Sequence, residues 1–147
     1  MEEAPTGGCA CASVRYRLDS PPFDAGWCHC RICQQVSGAP AMVFASVPHG
    51  DLVFTQGADK VKTYASSSFG HRLFCGECGT PLAMKVDHQP QTIDFTIASL
   101  DNPDAVTPAF HIFRESRIVW FETTDRLPRH ERFRPDTRGL EGTDPPA

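Results

Sequence analysis

The chemistry of this 147-residue sequence is concentrated in seven cysteines, and every one of them belongs to a cluster. Cys9 and Cys11 are spaced C-x-C, Cys28, Cys30 and Cys33 follow as C-x-C-x-x-C, and Cys75 and Cys78 form a C-x-x-C pair. Thiols this close on tight turns can face one ion, because a turn directs neighbouring side chains and amides inward and glycine lets the backbone bend. Gly7 and Gly8 precede the first pair, while Gly76 and Gly79 lie within and after the third. A structural zinc is closed by four ligands in a tetrahedron, often two from each of two distant knuckles. Cys9, Cys11, Cys75 and Cys78 supply that number, joining positions more than sixty residues apart. Cys28, Cys30 and Cys33 supply three, and three protein ligands with an open position are the pattern of a zinc that does chemistry. Two zinc ions per chain are expected.

Other uses of these thiols account for the pattern less well. The cysteine count is odd and a C-x-C disulfide makes a strained ring. Inert buried thiols have no reason to cluster at ligand spacing. The division into four and three leaves room for His29 or another histidine to complete or replace a ligand.

The elements that must position these clusters read as short strands between turn residues, rich in β-branched and aromatic side chains and without a sustained 3.6-residue period. Strands are expected over residues 13–18, 42–47, 52–55, 61–64, 71–74, 81–86, 92–98, 109–113 and 118–122. One short helix is expected over 31–36, directly after the middle cysteines and ending where Ser37-Gly38-Ala39-Pro40 disfavours its continuation. Phe44, Phe54, Phe74, Phe95 and Trp120 sit in strand-like runs and read as core, whereas Trp27, beside Cys28, either walls the open site or packs its loop.

With 40% hydrophobic residues the chain suits one domain, read as 1–133, followed by a disordered tail over 134–147 that lacks apolar anchors. The net charge of −4 gives no positive field for a nucleic acid backbone, and no apolar run reaches membrane-spanning length. Met1-Glu2-Glu3 lacks the basic start of an export signal, so a cytoplasmic location is expected, where thiols stay reduced. Arg126, Arg129, Arg132 and Arg134 are interspersed with Asp125, Glu131 and Asp136, which makes them an ordinary charged end region.

Taken together, these segments resemble the glutathione-dependent formaldehyde-activating enzymes, a domain shared with centromere protein V. The matching residues are Gly7-Gly8-Cys9-Ala10-Cys11 running into Val14-Arg15-Tyr16, Cys28-His29-Cys30-Arg31-Ile32-Cys33, and Ser37-Gly38-Ala39-Pro40. They continue through Phe74-Cys75-Gly76-Glu77-Cys78-Gly79-Thr80-Pro81-Leu82 to Pro108, His111-Ile112, Trp120 and Leu127-Pro128. The resemblance implies a mostly-β, Mss4-like fold, a structural zinc on the outer four cysteines and a catalytic zinc on Cys28, Cys30 and Cys33. The sequence departs from the pattern at Ala12, where glycine is usual, and at Gln34-Gln35, where basic residues are typical.

A zinc already holding three thiolates is thiophilic, so an exogenous thiol is its natural fourth ligand and is deprotonated on binding. Glutathione is the thiol implied, adding to formaldehyde to give S-hydroxymethylglutathione, a carbon-sulfur lyase reaction in reverse. Arg31, inside the cysteine motif, is the best-placed partner for a glutathione carboxylate, against its reading as a solvated helix residue; Arg72, Arg114 and Arg117 have no positional support. His29 and His111 are candidates for the proton donor, each equally readable as structural. The rivals are a non-catalytic, zinc-stabilised binding module and a lyase acting on another thiol adduct. A methionine sulfoxide reductase needs a redox cysteine apart from the metal ligands, and the sequence offers none.

Overall fold

The structure, a computed structural model, describes residues 3–135. Among the described residues, ten strands form two sheets. β1 (Thr6–Gly8), β2 (Arg15–Leu18) and β5 (Leu52–Gln56) make the smaller, in the order β1-β2-β5. The larger contains β3 (Phe23–Cys28), β4 (Met42–Pro48), β6 (Val61–Ala65), β7 (Gly70–Cys75), β8 (Pro81–Val86), β9 (Thr92–Thr96) and β10 (His111–Ile112). Its order is β10-β3-β4-β9-β8-β7-β6, antiparallel throughout except for the parallel pairing of β10 with β3. The expected mostly-β fold with one helix is what forms.

Strand alternation divides the work of the larger sheet. Directly opposed residues project to the same face. The pairs Val47 with Ile93, Ala45 with Phe95 and Ala83 with Phe95 therefore share one face, and they are buried in the main core with Leu18 and Tyr16 of β2. The opposite face carries Cys28 beside Met42, Gly26 beside Phe44, and a row running Ser46, Asp94, Met84, Arg72 across β4, β9, β8 and β7. Polar and reactive groups thus collect on one side of a sheet whose other side holds the fold together.

Helix α1 (Arg31–Ser37) begins and ends on side-chain and backbone signals present in the motif. Cys30 is its N-cap, the sulfur accepting from the Cys33 amide. Gly38 closes it at φ 68°, in the left-handed region that glycine enters without strain, and its N–H bonds the Gln34 carbonyl. The reach of 31–37 matches the expected helix to one residue.

Several strand expectations are corrected. Residues 118–122 form turn and irregular backbone, and Trp120, read as core, is 75% exposed. The run over 92–98 ends as a strand at Thr96 and tightens into a 3-10 turn over Ile97–Ser99; that over 109–113 pairs only at His111–Ile112. Two strands went unread. Thr6–Gly8 is too glycine-rich to show β propensity, and Phe23–Cys28 is interrupted by Asp24 and Gly26 and carries a register irregularity. Of the expected tail, residues 136–147 lie outside those described, while Arg134 is anchored, donating to Asp24 at 2.7 Å and lying over the Phe110 ring. No helix among the described residues is long and apolar enough to cross a membrane.

Candidate metal centre and adjoining cavity

The sequence places Cys9 and Cys11 in the turn after β1, Cys75 at the end of β7 and Cys78 in the turn that leads to β8. Folding brings them together: every pair of the four sulfurs lies within 4.8 Å. Cys9 Sγ is 3.6 Å from Cys11 Sγ, which is 3.9 Å from Cys75 Sγ. A tetrahedron with zinc–sulfur bonds of about 2.3 Å has edges of about 3.8 Å, so the donors fit a zinc ion by chemistry and by spacing. Backbone amides point at the sulfurs, Val14 N–H to Cys9 at 3.2 Å and Glu77 N–H to Cys75 at 3.4 Å. Thr80 Oγ1, 3.1 Å from Cys78 Sγ, leads the interactions that lower that thiol to about 5. Such bonds favour thiolates, the form that binds metal.

Cys28 at the end of β3, Cys30 at the helix cap and Cys33 in the first turn of α1 form the second cluster, again with all sulfurs within 4.8 Å. Hydrogen bonds from Cys28 and Cys33 drive Cys30 strongly toward the thiolate. The Cys30 sulfur, with burial adding to it, pushes Cys28 up. Cys33 is likewise pushed up, to about 11, so the negative charge rests on Cys30 between two thiols, and a bound cation would favour ionising all three. Arg72 reaches over from β7 and donates to Cys33 Sγ through both terminal nitrogens, at 3.4 and 3.5 Å. Sequence reasoning gave Arg72 no support, because its nearness depends on a strand register that joins β7 to a helix thirty-nine residues away.

The second cluster opens onto a cavity of about 180 Å³ above the reactive face of the larger sheet. Cys28, Cys30 and Cys33 line it together with Arg72, Asp94 and several phenylalanines. Burial raises Asp94 to about 6, its hydrogen bond from Ser46 Oγ (2.6 Å) opposing the shift. None of the four outer cysteines lines this cavity.

Behind the second cluster lies a buried relay. His29 alternates away from its two cysteine neighbours, and its Nε2 is 2.8 Å from His111 Nδ1, whose Nε2 is 3.1 Å from both Asp125 oxygens. The Asp125 carboxylate must accept from His111 Nε2–H. His111 Nδ1 is then the acceptor for His29 Nε2–H, and His29 Nδ1 is left as a bare lone pair that meets no partner among the described residues. Burial holds His29 at about 4, and it also lowers His111. Trp27 stacks on His111 at 6.2 Å between centroids, on this side rather than in the cavity wall.

The other expected site residues fall elsewhere. Arg31 is exposed at the start of α1, donates to Gln34 Oε1, and is not among the residues lining the cavity. Gln34 is buried and donates to the carbonyls of His29 and Ser116, tying the helix to the C-terminal segment. Arg114 and Arg117 both pair with Glu122, Arg129 pairs with Asp125, and Arg132 approaches Glu115 at 3.9 Å.

A mostly-β scaffold carrying one closed four-thiol cluster and one three-thiol cluster open to a cavity defines a narrow class of protein. The model of the family described as glutathione-dependent formaldehyde-activating enzyme matches residues 4–116, and the chain belongs to that family. An uncharacterized lyase of Schizosaccharomyces pombe is 32% identical over 78 residues, 52% of this chain and 53% of that protein. A Podospora anserina protein, provisionally named a glutathione-dependent formaldehyde-activating enzyme, is 31% identical over 115 residues, 75% of this chain and 54% of that one. The chain spans about half the length of the curated relatives it matches. The crystal structure of a Rhodobacter sphaeroides protein aligns with a TM-score of 0.57 over 70% of this chain and 96% of its own, at 24% identity, a likeness of fold alone.

Proposed function

We propose that the protein makes and breaks the carbon-sulfur bond of a thiol-aldehyde adduct at Cys28, Cys30 and Cys33, with glutathione and formaldehyde as the reference pair. The observation that carries this reading is the contrast between the clusters: the outer four thiols complete a tetrahedron by themselves, whereas the middle three open onto a cavity. In this reading Cys9, Cys11, Cys75 and Cys78 hold a structural zinc, and the middle three hold a second whose chemistry is to acidify a bound thiol near neutral pH. Residues 1–133 act as one domain in a reducing cytoplasm, where seven thiols persist as ligands.

The chain's own residues then have definite tasks. Arg72 offsets thiolate charge at Cys33. The helix fixes Cys30 and Cys33 one turn apart, and β3 presents Cys28 to the same point. The apolar lining excludes water, which strengthens every charge interaction inside. Exchange spectroscopy of the glutathione and formaldehyde adduct, with and without zinc-loaded protein, tests the reading. Exchange above the uncatalysed background, lost in Cys30→Ser, is expected. Equality with background in both proteins rejects it and leaves a zinc-stabilised binding module.

A further inference from the structure

The cavity beside the three-thiol cluster is built for something other than a small or highly charged reactant. Phe44, Phe69, Phe110, Phe113 and Phe133 come from four separate stretches of chain to line it, as does Met84. Phe113 and Phe133 meet edge to face at 4.9 Å, so the wall is a packed aromatic surface. Gly26 leaves the place where a Cβ would come within 2.2 Å of the Phe110 ring, which lets that ring lie against β3. An apolar cavity of about 150 Å³ accommodates a benzene ring; this one measures about 180 Å³.

The charges argue the same way. Among the described residues lining the cavity, Arg72 is the only cation, and its guanidinium is already committed to Cys33 Sγ and Ser66 Oγ. The charged groups facing it are acidic: Asp94 on β9, bonded to Ser46, and Asp24 on β3, bonded to Arg134. A carboxylate entering here gives up its water for phenylalanine faces and Asp94, with Arg134 already held by Asp24. Formaldehyde, with only hydrogens on its carbon, has no apolar group to bury against the rings.

We infer that the organic group seated in this cavity is apolar and about the size of a phenyl ring, so that the adduct made or cleaved carries such a group on its thiol or its aldehyde side. This rests on the carbon-sulfur reading of the cluster. The chemistry is balanced for any such pair: the thiolate sulfur attacks the carbonyl carbon, the S–C bond forms as the carbonyl π pair moves to oxygen, and that oxygen takes the proton the thiol released. Cleavage is the reverse.

The test uses the full chain loaded with zinc and three pairs, each measured against its own uncatalysed rate: formaldehyde with glutathione, formaldehyde with benzyl mercaptan, and phenylacetaldehyde with glutathione. At least one phenyl-bearing pair should gain on the order of tenfold to a hundredfold over the first, the span that burial of one ring supplies. Whichever pair gains identifies the side that fills the cavity. A first pair that equals or exceeds both others overturns the inference while sparing the carbon-sulfur reading; no acceleration of any pair removes both. Phe69→Arg, which adds a cation, should shift preference toward the glutathione pair, and Phe133→Ala should cut the phenyl preference about tenfold. If folded samples of both keep the original preference, the cavity does not select the group and the inference fails. Ligand-detected saturation transfer to benzyl mercaptan, stronger than to glutathione, gives a readout independent of turnover; the reverse order counts against it.

Discussion

Ala12 holds a φ of 65° in the turn that follows Cys11, a conformation costing an L-residue roughly 1 kcal/mol and glycine almost nothing. The family resemblance marks this position as one where glycine is usual, and the backbone gives the reason. Ala12→Gly should stabilise the zinc-loaded protein by about 0.5 kcal/mol in urea unfolding, since relief of strain is partly offset by the added entropy of the unfolded chain. An unchanged or lower midpoint would show that the turn is not strained by the methyl group. Asp94 offers a second test. It faces Ser46, Asp24 and Arg72, and its folded value of about 6 exceeds the ordinary carboxylate range because of burial. Between about pH 4 and 6 the folded state therefore binds more protons than the unfolded state, and stability falls as pH rises through that window. Relative to Asp94→Asn, the protein should lose about 1–2 kcal/mol from pH 4 to pH 6.5, measured as the difference between two denaturation series. Parallel series would remove the burial argument.

At the scale of elements, β10 is a two-residue strand, too short to hold by its ladder alone. Its side chains and neighbours secure it: His111 joins His29 behind the middle cysteines to Asp125 in the C-terminal segment, and the His111 N–H takes the Pro128 carbonyl. His111→Ala removes the ring between them and leaves a buried His29 N–H without its acceptor, while Asp125 keeps Arg129 and the Leu127 amide. It should cost about 2–4 kcal/mol and, more tellingly, raise hydrogen exchange over residues 111–134 before that of β4 and β9. Uniform loss of protection would show that the segment is not a separate unit. The helix was legible because its stop signal is local, the Ser37-Gly38-Ala39-Pro40 run, whereas the Cys30 cap is visible only in the structure. Residues 118–122 misled because apolar and aromatic residues in a row are read as strand, yet a strand needs a neighbouring edge to pair with.

At the scale of the molecule, the four-cysteine cluster joins the two sheets, taking Cys9 and Cys11 from the loop between β1 and β2, Cys75 from the end of β7 and Cys78 from the turn that follows it. Cys75 and Cys9 are themselves part of the main core. Cys75→Ser should therefore abolish cooperative unfolding, whereas Cys30→Ser should keep the fold and lower the zinc-to-protein ratio from near two to near one. Elemental content with circular dichroism reads both. Equal damage from the two substitutions would contradict the separation of structural and open clusters.

The spacing of seven cysteines by itself pointed to metal binding and to the pairs within each knuckle, because those are set by a few bonds of chain; that the first and third knuckles meet was decided by the fold. The sequence also indicated a mostly-β scaffold, since short alternating runs are a local property. What faces the open cluster was decided only in three dimensions. Arg72, Asp94 and the phenylalanines reach the cavity through strand register and sheet order, and His29 meets His111 across eighty-two residues of sequence. Register is a cooperative outcome of burying one face of a sheet, so no local pattern announces which side chains will line the other.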